Sequence, residues 1–329
     1  FQIVWLDDSR RESYLESIHE LFIQRGMKPL PQVVFEGNIP ADIQKNTALM
    51  EWIEAPSWPA AVKVPVAWLG DAVAIKEPTS AAFRARSGNN LLIVGQQEES
   101  ALAIMATAIL SLAAQLPATS APGRPGARFF VLDGSLEESP QAGYLARLAS
   151  FLPHDFRSGD WHDGSRIVGE VFDELESRQK ERKTDSPSIY LIIFDLPRFR
   201  ELRKAEDDFS FSSRPDEKPN PAMQFSNILR EGPGVDIHTF AWCDSMNNLM
   251  RTLDRQSLRE FEMRILFQMS ANDSSNLIDN PLASKLGVNR AFFHSEEQGR
   301  LEKLRPYGRP TESWLNWVKE KFAAKTASP

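Results

Sequence analysis

One cysteine, Cys243, stands in a chain of 329 residues. A lone thiol closes no internal disulfide and builds no cysteine-rich metal site, so disulfide-stapled scaffolds and zinc ribbons are excluded, and a reducing, cytoplasmic setting is expected. Long apolar runs are missing too. The nearest candidate, residues 101–116, carries Thr107, Ser111 and Gln115 and stops at Pro117, short of the roughly 20 apolar residues that span a bilayer. It reads as a buried helix, and no membrane segment is expected. Positive charge is in deficit: 38 Lys and Arg against 45 Asp and Glu leave a formal charge of −7, which excludes a generally basic nucleic-acid coat. Hydrophobic residues at 42% and charged residues at 25% describe an ordinary globular chain, long enough for a large core or two domains. A secretory signal pattern is absent, and the start at Phe1 reads as a piece cut from a larger protein.

Residues 1–55 read as a neck or linker to a preceding module. They offer a β-prone run at 1–6, a helix headed by a Ser9/Glu12 capping box with Tyr14, Leu15, Ile18, Leu21 and Phe22 at helical spacing, a short strand at 33–35 and a helix over 41–53. From Pro56 to Pro329 the pattern becomes α/β. Apolar strands at 91–94, 129–132, 189–194, 237–242, 263–269 and 291–293 alternate with helices, which predicts a mainly parallel sheet covered on both faces. A polar stretch with three prolines, 206–221, reads as a mobile surface loop.

A strand that runs into Gly95 and then a helix is the layout of a phosphate-binding loop, where backbone N–H groups and a helix dipole face an anion. The loop would be Gly95, Gln96, Gln97, Glu98, Glu99, Ser100, Ala101 and Leu102. The working pattern needs glycine, lysine and Ser/Thr at the last three of these places. Ala101 supplies no ammonium for the β- and γ-phosphates, and Leu102 no hydroxyl for magnesium. Glu98 and Glu99 complement the helix N-terminus themselves. A second strand, residues 189–194, delivers Asp195 where a nucleotidase holds its magnesium-ordering aspartate, but the next residue is Leu196 and not a glutamate.

Residues 261–287, with Arg264, Ser270, Asp273, Ser274, Ile278, Asp279, Ala283, Leu286 and Gly287, resemble the closing segment of FtsK/SpoIIIE-type ATPase domains. Residues 232–240 resemble that family's segment entering the preceding strand, and Val131, Leu132 and Asp133 its strand after the phosphate-loop helix. The resemblance runs in order from about Val64 to Phe293. It implies a RecA-like P-loop fold, and a parent that assembles such modules as rings or in tandem, as DNA-pumping motors and the EccC-type proteins of type VII secretion do. Asp195 takes the place of the family's Walker-B aspartate, and Arg264 is either a candidate inter-module arginine finger or the partner of a carboxylate inside its own domain. With the lysine, the hydroxyl and the second acid missing, no cofactor is expected. The chain reads as a catalytically silent module with a structural, regulatory or docking role beside an adjacent ATPase module. The alternative, a nucleotide-binding part of a DNA or protein translocase that takes ATP and Mg2+ unconventionally, stays open.

Lesser candidates have structural readings beside them. His154, Asp155, His162 and Asp163 surround Trp161 as a weak chelating pattern without a recognised spacing. The basic run 178–183 is a phosphate patch or a solvated helix end, and Trp314 with Trp317 a docking face for the chain's own core or for a partner.

Overall fold

Apolar runs too short for helices form the central strands of one ten-stranded sheet in the computed structural model, which describes residues 5–27, 38–59, 61–121, 125–181, 186–203 and 219–327. In chain order they are β1 (Val66–Ala72), β2 (Thr79–Ala82), β3 (Leu91–Val94), β4 (Ala127–Asp133), β5 (Asp155–Gly159), β6 (Ser188–Phe194), β7 (Ile237–Cys243), β8 (Met263–Leu266), β9 (Ala291–Ser295) and β10 (Arg300–Pro306). They lie side by side as β2-β1-β10-β9-β8-β3-β7-β6-β4-β5. From β8 to β5 every pairing is parallel. Beyond β8 the sheet continues antiparallel through β9, β10, β1 and β2, an extension that the sequence pattern did not announce.

The helices are α1 (Asp8–Gln24), α2 (Thr47–Glu54), α3 (Glu98–Gln115), α4 (Tyr144–Arg147), α5 (Gly164–Glu181), α6 (Pro221–Glu231), α7 (Met246–Thr252), α8 (Arg255–Arg259), α9 (Ala271–Ile278) and α10 (Glu312–Ala327). Successive strand residues point to opposite faces, so β3 gives Leu91 and Ile93 to one core and Leu92 and Val94 to the other. The first core takes Leu49 and Ile53 of α2, the length of α3, Leu145 of α4, and Trp314, Leu315, Val318 and Phe322 of α10. The second takes Ile167 and Val171 of α5, Phe225 and Ile228 of α6, Leu249 of α7, Leu258 of α8 and Leu277 of α9. Parallel strands covered this way must be apolar on both sides, and β6 and β7 are buried at every position.

α3 is buried from Ala101 to Gln115. Its polar residues Thr107, Ser111 and Gln115 recur every fourth position and form one stripe. Ser111 Oγ accepts from Trp68 N at 3.2 Å, while Gln115 accepts from Val66 N at 3.0 Å and donates to Val66 O at 2.7 Å. β10 pairs with β1 only from Gly70 to Ala72. The stripe finishes the open half of β1, where an unpaired strand edge would otherwise be buried.

Two compact units divide between Gly37 and Asn38. In the first, the head of α1 is capped by Asp7, whose Oδ1 accepts from Ser9 N and Arg10 N at 2.9 and 3.2 Å, so Ser9 lies inside the helix and not at its cap. Tyr14, Leu15, Ile18 and Leu21 of α1 are exposed. In the second, the helix expected over 41–53 is a 3-10 turn at Ile43–Lys45 followed by α2, headed by Asn46, which accepts from Leu49 N at 3.0 Å. Leu49 and Ile53 lie in the main core, so this segment belongs to the body and not to a neck ending near residue 55. Trp5 and Leu6 are not in a strand. The strand expected at 33–35, residues 1–4, and the loop expected at 206–221 as far as residue 218 lie outside the described residues.

Candidate functional site

Because β3, β7 and β6 are successive parallel neighbours, their C-terminal ends lie on one rim, as the sequence predicts, and the rim carries Gly95 and Asp195 with the end of β7 between them. Gly95 has φ +127°, a conformation other residues rarely adopt, and a Cβ there would stand 2.8 Å from Phe267 Cβ. Its N–H donates to Cys243 O at 3.0 Å and its carbonyl accepts from Trp242 Nε1 at 3.0 Å. Both backbone groups are tied to β7.

Only Gly95, Gln96 and Gln97 separate β3 from α3, because the helix already begins at Glu98. Ala101 N–H donates to Gln97 O at 3.0 Å, inside the helical ladder. A phosphate-cradling loop keeps several successive N–H groups free to wrap an anion. Here the first helical turn carries Glu98 and Glu99, no side chain caps it, and Ser100 Oγ lies 3.4 Å from Gln97 Oε1. Ala101 and Leu102 are fully buried in the core. The places where a phosphate-binding lysine and hydroxyl would stand face apolar packing.

Asp195 follows β6 in the left-handed region, with φ 60° and ψ 59°. Burial pushes its carboxyl up to about 6, and the charges of Asp244, Glu98 and Asp133 push the same way against the opposing Arg198. Asp133 ends β4 and is 7% exposed; its Oδ1 accepts from Ser135 N at 3.0 Å, and its Oδ2 has no partner among the described residues. Asp244 follows β7 and is held by Asn248 Nδ2 at 2.9 Å and by Ser245 Oγ at 3.1 Å. Leu196, where a second acid would stand, is wholly buried. The rim is therefore a set of carboxylates with one nearby guanidinium. Asp133 and Asp244 were not singled out as site residues, although each repeats the signal that marked Asp195, an apolar strand ending on a carboxylate.

Other candidates fall elsewhere. Arg264 does not reach outward: its guanidinium donates to Phe261 O at 2.9 Å, to Leu258 O at 3.2 Å and to Leu277 O, so it ties β8 to its own flanking segments. Arg178 is buried and bonded to Glu174, Val235 O and Pro187 O, which removes it from any phosphate patch; Arg182 and Lys183 lie outside the described residues. His154 packs among Trp58, Phe129 and Phe322, and Asp155 binds Arg128, so the chelating pattern is dispersed. Among the described residues no group of three or more His, Cys, Asp or Glu side chains is placed to hold a metal. Cys243 is a buried thiol, pushed by burial up to about 12. Trp314 packs into the chain's own core with Trp317 against it. No described helix is long and apolar enough to cross a membrane.

No family profile matches the sequence, and no curated protein matches it. Solved structures do. EssC (ATPases 2 and 3) from Geobacillus thermodenitrificans superposes with a TM-score of 0.55 at 13% identity, over 92% of this chain and 53% of that one. The cytoplasmic domain of the Thermomonospora curvata type VII secretion ATPase EccC gives 0.56 at 15% identity, over 87% of this chain and 34% of that one. The pCW3 conjugation coupling protein TcpA, solved with ATPγS, gives 0.56 at 11% identity, over 95% and 85%. This chain spans about half of the EssC fragment and a third of the EccC domain. It has the RecA-like P-loop fold of FtsK/SpoIIIE-type ATPase modules.

Proposed function

We propose that this chain is a catalytically silent ATPase-like module of a larger, cytoplasmic FtsK/SpoIIIE-type protein, acting as a structural, regulatory or docking unit beside an adjacent ATPase module. The observation that carries the reading is the three-residue turn into α3, backed by buried Ala101 and Leu102 and faced by carboxylates. Binding a triphosphate needs free N–H groups and positive charge at one place. This rim withholds the first and reverses the second. EssC, whose solved fragment holds ATPases 2 and 3, is a precedent for ATPase modules in tandem.

The test is titration of the purified chain with ATP and ADP, with and without magnesium, together with phosphate release at millimolar ATP. No saturable binding and no turnover are expected. The double change Ala101→Lys with Leu102→Ser is expected to lower the melting temperature without creating activity, because it puts an ammonium and a hydroxyl into apolar packing. Turnover by the wild type that disappears in Asp195→Ala would overturn the proposal. It would favour the second reading, a nucleotide-binding translocase part, for which Asp195 and the fold shared with ATPγS-bound TcpA are the support.

A further inference from the structure

Away from the rim residues, two arginines converge on one tyrosine. Tyr144, at the head of α4, is 7% exposed, and its hydroxyl donates to Pro310 O at 2.8 Å, which ties α4 to the segment joining β10 and α10. The Arg147 guanidinium stands 5.7 Å from the centroid of the Tyr144 ring and that of Arg309 stands 5.2 Å from it. Both arginines are exposed. Each is held by a cation–π contact to a fixed ring, so the two charges lie no further apart than about a Debye length.

Arg86, Arg128, Arg157 and Arg166 each bind carboxylates. Arg147 and Arg309 bind none among the described residues, and both their charges act on the Tyr144 hydroxyl, opposing the burial that raises it. A pre-positioned pair of planar forks with free N–H donors fits oxyanions that accept two parallel hydrogen bonds. We propose that Arg147 and Arg309 form a docking site for an acidic polypeptide segment, each guanidinium taking a carboxylate.

A polypeptide suits the surroundings better than a nucleic acid does. Duplex DNA presents a charge about every 1.7 Å and demands a continuous basic stripe. Here two arginines stand in a chain of charge −7, and the loop leading to α4 carries Glu137 and Glu138. A segment with a few carboxylates meets the arginines and leaves the acidic neighbours uncontacted. The inference goes beyond the silent-module reading and shares no residue with the nucleotide rim, so either can fail alone.

The experiment uses the whole chain and a fluorescein-labelled peptide of alternating Glu and Gly, followed by anisotropy at low and physiological salt. The same peptide with Gln for Glu, a single-stranded oligonucleotide and inorganic phosphate are separate arms. Arg147→Gln and Arg309→Gln are expected to weaken Glu-peptide binding at least threefold each and the double variant at least tenfold, with melting temperatures unchanged. Arg255→Gln, an exposed arginine on α8, is expected to bind as the wild type does, and the Gln peptide is expected not to bind. No binding of the Glu peptide, equal binding by the double variant, or equal loss in Arg255→Gln overturns the proposal. So does an oligonucleotide that binds more tightly than the peptide and is released by the double change. Phosphate that competes only at concentrations far above the peptide supports it.

Discussion

His154 and His238 show what burial does to a single side chain. Both are held neutral, with values lowered to about 4, chiefly because the interior disfavours the imidazolium; Leu116 O and Asn89 O, which lie against their ring nitrogens, offset only part of that. Once unfolded, each protonates near 6.5, so the unfolded chain binds more protons over that interval and stability rises with pH. The stability is fully present above 6.5 and is lost as pH drops toward 4, at most about 3 kcal/mol for each ring. Urea midpoints measured from pH 7.5 to pH 4 are expected to fall steeply in that window, and less steeply in His154→Gln. Asp195 works in the opposite direction. Its raised value makes the ionised carboxylate a cost to the fold above about pH 6, a cost removed as pH falls toward its ordinary 3.8. Asp195→Asn is therefore expected to stabilise the chain by about 1 kcal/mol at pH 7.5, after allowance for solvent screening of a partly exposed group. The gain should vanish below pH 4. An Asn variant less stable than wild type at pH 7.5 would show that the carboxylate has a partner that offsets its burial.

At the scale of elements, α3 and β1 are joined by the Gln115 amide and the Ser111 hydroxyl. Gln115→Leu keeps the helix and its volume but leaves Val66 N–H and C=O without partners in a half-buried place. The expected loss is about 2–3 kcal/mol, read as a shift in the denaturant midpoint. A loss below 0.5 kcal/mol would mean that water reaches this edge. The polar stripe was visible in the sequence only as a break in a hydrophobic run, because its meaning depends on a strand some 45 residues earlier. Other elements differed in how openly they could be read. Runs such as 189–194 and 237–242 announced β6 and β7, since both faces of those strands are covered. β5 gave no such signal: it is an edge strand, and Asp155, Arg157 and Ser158 are exposed. β10 was hidden for another reason. One of its inward positions is Glu302, buried with Lys76 and Thr79 as partners, and a carboxylate in a core position spoils the alternation on which such readings rest. The rim was half legible: Gly95 and Asp195 stand at the ends of recognisable strands, whereas the crowding of Asp133, Asp195 and Asp244 follows from strand order, which no local pattern contains. The partners of Arg264 were not legible, because nothing around it in the sequence reveals that three backbone carbonyls lie within its reach.

For the whole molecule, the position of β3 between β7 and β8 has a consequence for biosynthesis. Leu91–Val94 is among the earlier strands to leave the ribosome, yet both of its ladder partners are translated well over a hundred residues later. At about 5–20 residues per second the nascent chain carries that four-residue apolar strand without a neighbour for roughly ten to thirty seconds. Folding of the central sheet must wait until β7 and β8 have been made, and contacts so distant along the chain make the search slow. A chain stopped just before Ile237 is expected to be captured by chaperones or to aggregate, and one stopped after Ser295 to resist protease far better. Comparable resistance of the two, measured by limited proteolysis of stalled chains, would mean that α3 alone can shelter the strand. The same order leaves the middle of this sheet dependent on segments far apart in the chain, so early and late mistakes in translation converge on the strand that leads into Gly95.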